Sequence, residues 1–172
     1  MTASLSVDER VLFLKQVIFF QSMTLEQLKV LAGICEEESI PKGTTVFKEG
    51  DPGGAVYVVV NGRVAIERVG ARQNSVVRLA TMDTRSPFGD MSLFDNIPRS
   101  TSALTMEDTV LLKLRVEPLI ALMRQYPDMS LELIKILSQR IREANDQIMR
   151  LTRPKPRQLD QLYDKLEDSD KA

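Results

Sequence analysis

The residues that decide the fold are 88–103, which read Phe-Gly-Asp-Met-Ser-Leu-Phe-Asp-Asn-Ile-Pro-Arg-Ser-Thr-Ser-Ala. A glycine lets the backbone approach a ligand closely, and residues 90–94 after it predict one or two helical turns. The first turn of a helix offers N–H groups and a partial positive charge that favour a phosphate. Arg99 adds a planar fork of donors that suits phosphate oxygens, and the carboxylate of Asp90 suits sugar hydroxyls. The stretch therefore predicts a site for a small ligand with an anionic end and a polyol end.

This stretch resembles the phosphate-binding cassette of cyclic nucleotide-binding domains, whose pattern is approximately F-G-E-[LI]-A-L, a variable loop, then R-[ST]-A-[ST]-[AV]. The residues that match are Phe88, Gly89, Leu93, Arg99 and Ser100, with Ser102 and Ala103 as permitted variants. The residues that depart are Asp90 in place of Glu, Met91 in place of Leu or Ile, and Ser92 and Thr101 in place of Ala. The resemblance extends over residues 12–150 and includes the spacing of Gly50-Asp51, Tyr57 and Gly62.

The resemblance implies a role for each residue of the cassette. Arg99 would pair the cyclic phosphate, backbone groups of Met91 and Ser92 with the Ser100 hydroxyl would complete the cradle, and Asp90 would accept the ribose 2′-hydroxyl. Asp is one methylene shorter than Glu, so this bond needs an inward backbone shift or a bridging water, or it is lost. The expected ligand-binding residues are Gly89, Asp90, Met91, Ser92, Arg99, Ser100 and Thr101, with Leu79 and Met82 as possible pocket-wall residues.

Two further departures bear on the shape of the site. Thr101 adds volume where the family keeps Ala, which would crowd the sugar-phosphate. The family usually has a Gly-acidic pair just before the cassette, where this chain has Thr84-Arg-Ser-Pro87. We therefore expect the loop before the cassette to follow a different path.

Composition excludes several classes of function. The chain has 172 residues, a formal net charge of −1, one cysteine and no histidine. These counts exclude an internal disulfide, the usual zinc and iron–sulfur sites and a histidine general base, so we expect neither an enzyme nor a cofactor. The net charge gives no electrostatic case for nucleic-acid binding. No apolar run has the length of a membrane span and the N-terminus lacks a secretory signal, which predicts a cytoplasmic protein without a membrane partner.

The remaining pattern predicts a mainly β fold with flanking α elements, a jelly roll or β-roll with N-terminal helices and a long C-terminal helix. The predicted domain covers residues 1–152: a helical lead-in at 7–38, a β-roll at 39–115 and C-terminal helices at 116–152. Residues 153–172 are a predicted linker and polar tail.

Several local features are predicted within this frame. The first helix runs to about Phe20, with Val11, Leu12, Leu14, Val17 and Ile18 on its apolar face. The second begins at the N-cap Thr24 and contains Cys35, with Leu25, Leu28, Leu31 and Ala32 as its buried stripe. Asn61-Gly62 indicates a hairpin.

The long C-terminal helix carries a second pattern that points to a partner. Its apolar residues repeat with spacings of three and four: Ile134, Leu137, Ile141, Ala144, Ile148 and Leu151. Such a repeat is typical of a coiled-coil seam, so residues 134–151 predict a homodimer or a partner protein. The start of the seam fits packing on the chain's own barrel equally well. In the family this helix lies across the pocket and moves when nucleotide binds.

The predicted function is a regulatory receptor for cAMP or cGMP, in which ligand binding repositions the C-terminal helix. The alternative is a degenerate dimerisation or scaffold module of the same fold that binds no nucleotide. An enzyme acting on a nucleotide is disfavoured, since no nucleophile–base pair is evident. The residues after 152 are too few for the DNA-binding domain of the family's transcription factors.

Overall fold

The computed structural model describes residues 4–70, 75–92 and 97–152. Two compact units are present, Met1–Leu133 and Ile134–Ala172, and each is described by itself. The predicted domain end at residue 152 stays a prediction, because residues 153–172 lie outside the described part of the chain.

The first unit is built on two antiparallel sheets of four strands each. The strands are β1 (Glu36–Ile40), β2 (Thr45–Phe47), β3 (Ala55–Asn61), β4 (Val64–Val69), β5 (Val76–Met82), β6 (Pro87–Phe88), β7 (Ser102–Thr105) and β8 (Thr109–Arg115). One sheet has the order β1-β8-β3-β6 and the other β2-β7-β4-β5. This arrangement confirms the predicted β-roll.

The core contains residues from both sheets. One buried cluster of this core consists of Phe47, Ala55, Tyr57, Val59, Val64, Ile66, Phe88, Ala103 and Leu111. Successive side chains of a strand point to opposite faces, so Tyr57 and Val59 on β3 share one face while Val56 and Val58 share the other. All four are buried. Burial on both faces explains why β3 is a continuous apolar run rather than an alternating one.

The N-terminal helices α1 (Val7–Leu14) and α2 (Leu25–Ile34) both begin with a capping box. The one at Thr24, with Gln27, confirms the predicted start of α2. The predicted extension of the first helix to Phe20 is wrong, since residues 15–22 form turns with bonds such as Phe20 N to Val17 O at 2.9 Å. These turns bury the adjacent residues Phe19 and Phe20 together, which a straight amphipathic helix does not do. The predicted apolar faces are also wrong at three positions, since Leu12, Ile18 and Leu25 are exposed.

The second helix ends earlier than predicted. Cys35 is its C-cap with extended backbone, and Glu36 already belongs to β1, so the predicted start of the β-roll at residue 39 is wrong by three residues. The physical reason is pairing with a distant strand, since every residue of β1 lies opposite a residue of β8, and two ion pairs add to this ladder. Glu36 pairs with Arg115 and Glu38 with Lys113, each at 2.8 Å. The acidic segment that the sequence assigned to the end of a helix therefore forms a strand beside β8, whose basic residues pair with it.

The turn at Asn61-Gly62 is not a hairpin of paired strands, in contrast to the prediction. β3 and β4 lie in different sheets, so the turn carries the chain from one sheet to the other. Gly62 has φ +95°, and an added Cβ would lie 2.6 Å from the hydroxyl oxygen of Thr109. Glycine is therefore required here by both backbone conformation and space.

Two helices follow the strands. α3 (Val116–Gln125) has Pro118 in its first turn, where proline is tolerated, and α4 (Asp128–Thr152) begins directly after Pro127. All six residues of the predicted seam on α4 are exposed, including Ile141 at 62% and Leu151 at 78%. Among the described residues, no helix is both long enough and apolar enough to cross a membrane.

Candidate functional site

The predicted cassette begins where β6 ends. Gly89 has φ +80°, a conformation that glycine adopts without strain, and it is followed by a 3-10 turn at Asp90–Ser92. Residues 93–96 lie outside the described part of the chain, and β7 begins at Ser102. Of the helical turns predicted at 90–94, the described residues 90–92 form a 3-10 turn, and residues 93 and 94 lie outside the described part of the chain.

Arg99 is the centre of the site. Only 5% of its surface is exposed. Its Nη1 atom donates to the carbonyl oxygen of Gly89 at 2.6 Å, and its Nη2 atom donates to the carbonyl oxygen of Ala55 at 2.8 Å. A Cβ added to Gly89 would lie 2.8 Å from that Nη1 atom. Position 89 therefore has no room for a side chain while Arg99 occupies this place.

The backbone of Arg99 is bound to the turn after β2. Its N–H donates to the carbonyl oxygen of Asp51, and its own carbonyl accepts from the N–H of Gly50, both at 2.8 Å. Ser102 Oγ accepts from the N–H of Glu49 at 2.9 Å. The spacing of Gly50-Asp51 from the strands, noted in the sequence, thus has a structural purpose. The turn fixes the chain on both sides of the arginine.

An aromatic surface lies beneath the arginine side chain. The guanidinium carbon lies 4.2 Å from the ring centroid of Phe47 and 6.0 Å from that of Tyr57. Burial lowers the pKa of the Arg99 guanidinium below its ordinary value, while the phenol of Tyr57 and the carboxylate of Asp51 act in the opposite direction. The site therefore holds a buried cation whose charge is supported by ring faces and carbonyl dipoles.

The other predicted cassette residues surround this arginine unevenly. Asp90 and Thr101 are partly exposed, whereas Met91 is 76% exposed. Ser100 is also exposed, and its hydroxyl lies 3.9 Å from the sulfur of Met91. The structure thus brings Gly89 to Arg99 and Met91 to Ser100. The roles of these residues toward a ligand stay predictions.

The chain matches the model of the cyclic nucleotide-binding domain over residues 37–126, which is more than half of its length. The chain belongs to the cyclic nucleotide-binding domain family. It is a regulatory module of that family, and its cassette lies within the matched residues.

Known cyclic nucleotide-binding proteins are similar to most of the chain. A cyclic AMP receptor protein of Thermus thermophilus is 34% identical over 128 residues, which cover 73% of this chain and 58% of that protein. A cAMP-dependent protein kinase regulatory subunit of Colletotrichum orbiculare is 30% identical over 96 residues, covering 56% of this chain and 24% of that protein. The chain thus spans little more than half of its first-matching relative. Among solved structures, the N-terminal domain of a transcriptional regulator from Streptomyces coelicolor superposes with a TM-score of 0.70 at 29% identity, covering 80% of this chain and 93% of that one.

The two predicted pocket-wall residues of this cyclic nucleotide-binding domain have different surroundings. Met82 is partly buried against the core between the sheets. Leu79 is 56% exposed and lies where the β4–β5 register shifts, between the pairs Ile66–Ala80 and Glu67–Arg78. A residue at such a bulge faces no ladder partner. A wall role for either residue stays a prediction.

The loop before the cassette forms an ordered turn in spite of its unusual sequence. Arg85 has φ +72° and is the one non-glycine residue with positive φ in the described part of the chain. Its N–H donates to the carbonyl oxygen of Val59 at 2.8 Å, and the N–H of Ser86 donates to that of Asp83 at 2.9 Å. Arg85 adopts a backbone conformation that suits a glycine, so its own backbone is strained although the turn forms.

Sequence reasoning missed two contributors to the site. Phe47 supplies the ring under Arg99, and Ala55 supplies a backbone carbonyl. A carbonyl contribution leaves no trace in residue type, so Ala55 had no sequence signal. Phe47 had no sequence signal either, because its contact is with Arg99, a residue distant in the chain. No group of three or more acidic, cysteine or histidine side chains suited to a metal ion occurs among the residues that the structure describes.

Proposed function

We propose that this cyclic nucleotide-binding domain is a regulatory receptor for cAMP or cGMP. The observation that carries the proposal is the buried Arg99 held against Gly89 at 2.6 Å. This contact brings a full positive charge to the residue directly before the 3-10 turn at Asp90–Ser92. A cyclic phosphate that accepts hydrogen bonds from the backbone of Met91 and Ser92 would then lie beside the guanidinium of Arg99. Arginine is the residue type best suited to phosphate.

The sugar end of the ligand would face the acid of the cassette. Asp90 would accept the ribose 2′-hydroxyl, directly or through one water. Ser100 would add a hydroxyl to the phosphate cradle, and Thr101 would narrow the space beside it. Because cAMP and cGMP share the ribose and the cyclic phosphate, these residues serve both ligands equally. No further cofactor and no catalytic step are part of the proposal.

The output would come from the C-terminal helix. Ligand binding would reposition α4 and so change the association of its exposed seam, residues 134–151, with a second copy of this chain or with a partner protein. Six exposed seam positions at heptad spacing support this part of the proposal. The proposed receptor acts in the cytoplasm without binding nucleic acid or a membrane.

The second candidate is a dimerisation or scaffold module that binds no nucleotide. One observation favours it: the terminal nitrogens of Arg99 already donate to the carbonyls of Gly89 and Ala55. A ligand has to compete with these contacts. The shorter acid at Asp90 and the larger residue at Thr101 would then leave too little binding energy to do so.

Thermal unfolding of the purified chain with cAMP, cGMP and linear 5′-AMP separates the candidates. A ligand at about one hundred times its dissociation constant stabilises a protein by about 2.7 kcal/mol, which is several degrees for a domain of this size. The receptor proposal expects a shift with cAMP or cGMP and none with 5′-AMP. A well-folded chain whose melting temperature is unchanged by all three nucleotides would support the scaffold module instead.

A further inference from the structure

Phe47 and Arg99 form a close contact in which both side chains are buried. Phe47 lies on β2 with 8% of its surface exposed, and Arg99 has 5% exposed. The distance of 4.2 Å from guanidinium carbon to ring centroid is well inside the range of about 6 Å over which a ring face attracts a cation. Both partners are shielded from water, and the attraction between a cation and a ring is strongest when water is excluded.

The ring of Phe47 is itself held in place by two other strands. Its centroid lies 6.0 Å from the rings of both Tyr57 on β3 and Phe88 on β6. Those two rings stack on each other at 5.4 Å with an interplanar angle of 17°. Phe47 is packed among these aromatic neighbours, so its face is fixed toward the arginine.

The same segment also fixes the other end of Arg99. Phe47 precedes the turn whose Gly50 and Asp51 hold the Arg99 backbone through two hydrogen bonds of 2.8 Å. The guanidinium carbon lies over the face of the Phe47 ring, while the hydrogen bonds of the group are made by its N–H donors. The ring can therefore hold the guanidinium in place without occupying its N–H donors.

We propose that Phe47 is a positioning residue for the phosphate of the ligand. Its ring face holds the guanidinium of Arg99 in the place where it meets phosphate oxygens, so anion affinity depends on an aromatic residue at position 47. This inference rests on the proposed receptor function, because it assigns Phe47 a role in binding that same cyclic phosphate. Fixing the arginine before the ligand arrives reduces the ordering cost of binding.

The test is a double-mutant cycle on nucleotide affinity. The single variants are Phe47→Leu and Arg99→Gln, with Phe47→Met as a second variant that lacks the ring but keeps a large apolar side chain. Circular dichroism checks that each variant is folded, and calorimetric titration gives dissociation constants for the nucleotide that the wild-type chain binds. The matched control is Phe20→Leu, since Phe20 is a buried aromatic residue of the helical lead-in.

The expected result is that Phe47→Leu and Phe47→Met weaken binding by about three- to thirtyfold, the range of one desolvated cation–ring contact. Phe20→Leu should leave the affinity close to that of the wild-type chain. In the Arg99→Gln background, Phe47→Leu should cause little further loss, because the cation that the ring positions is already gone. A general packing role would weaken binding equally in both backgrounds.

Two failures are distinguishable. If the wild-type chain binds neither cAMP nor cGMP, the receptor function fails and the role of Phe47 fails with it. If the wild-type chain binds but Phe47→Leu binds equally well or more tightly, only the role of Phe47 is overturned. A full loss from Phe47→Leu in the Arg99→Gln background would overturn it as well.

Discussion

Arg99 donates a hydrogen bond of 2.6 Å from Nη1 to the carbonyl oxygen of Gly89, ten residues earlier in the chain. This bond closes the cassette on itself and brings its cation to its glycine. The place of the Arg99 side chain also requires a glycine at position 89, since a Cβ there would lie 2.8 Å from that nitrogen.

Gly89→Ala should therefore destabilise the domain. The substituted residue would keep a positive φ, which costs about 1–2 kcal/mol for an L residue, and its Cβ would displace Arg99. Urea unfolding should show a lower free energy of unfolding, and nucleotide affinity should fall in parallel.

Gly33→Ala is the matched control for this substitution. Gly33 lies inside α2, and a Cβ there would meet nothing within 4 Å. Alanine is favoured over glycine in a helix, so this variant should gain about 0.5–1 kcal/mol of stability. An equal loss of stability at both glycines would contradict the account of Gly89.

Arg85→Gly should stabilise the chain. Arg85 has φ +72°, and relief of this strain, less the entropy that glycine loses on folding, should raise the free energy of unfolding by about 0.5–1 kcal/mol. Chemical denaturation measures the difference.

Arg85→Ala separates strain from charge at this position. It removes the cation but keeps the Cβ that causes the strain, so no comparable gain is expected. A gain as large as that of Arg85→Gly would assign the effect to the lost charge.

Cys35 should make stability fall at high pH. Burial raises the pKa of its thiol from 9.0 to about 12, against a smaller opposing effect of Arg10. The folded state keeps its thiol proton where the unfolded state loses it, so stability is full below the unfolded pKa and declines from about pH 9 toward 12. Unfolding measured at several pH values should show a steeper alkaline decline for the wild-type chain than for Cys35→Ala. Parallel curves for the two proteins would show that the thiol has the same pKa in the folded and unfolded states, which would contradict the effect of burial.

The seam on α4 should mediate self-association. Ile141→Glu places a charge at an exposed seam position, and sedimentation velocity should show a shift from dimer to monomer. Gln139→Glu is the control, because it introduces the same charge two residues away, off the seam. A wild-type chain that sediments as a monomer would exclude a homodimer through this helix and leave a partner protein.

The fold was predictable where local chemistry agrees with tertiary packing. The Thr24 capping box marks the start of α2, and the β-rich runs around Val58 and Leu112 lie in strands of the predicted β-roll. The acidic residues at Glu36 and Glu38 were assigned to a helix because their partners, Arg115 and Lys113, are distant in sequence. A strand that is stabilised by remote charges carries no local strand signal.

The site was predictable at its charged and glycine positions only. The cassette pattern names Arg99 and Gly89, and the structure places them in contact. The hydrogen bond from Arg99 to the carbonyl of Ala55 and the contact of Arg99 with the Phe47 ring depend on how the strands pack, and no spacing within one strand encodes that. Arg85 shows the converse case, in which the residue type does not predict the backbone conformation. An arginine is unfavourable at positive φ, yet it adopts this turn because the surrounding structure holds it there.

The central claim is that Arg99 binds a cyclic phosphate, and calorimetric titration of cAMP and cGMP into wild-type, Arg99→Gln and Arg63→Gln chains tests it most directly. Arg63→Gln removes the same charge from an exposed residue that pairs with Glu107. The account predicts that at least one nucleotide binds the wild-type and Arg63→Gln chains alike, and that Arg99→Gln weakens it by about ten- to a hundredfold, the cost of one charge-assisted contact. Equal affinities for all three folded chains, or no heat of binding to the wild-type chain, would contradict it.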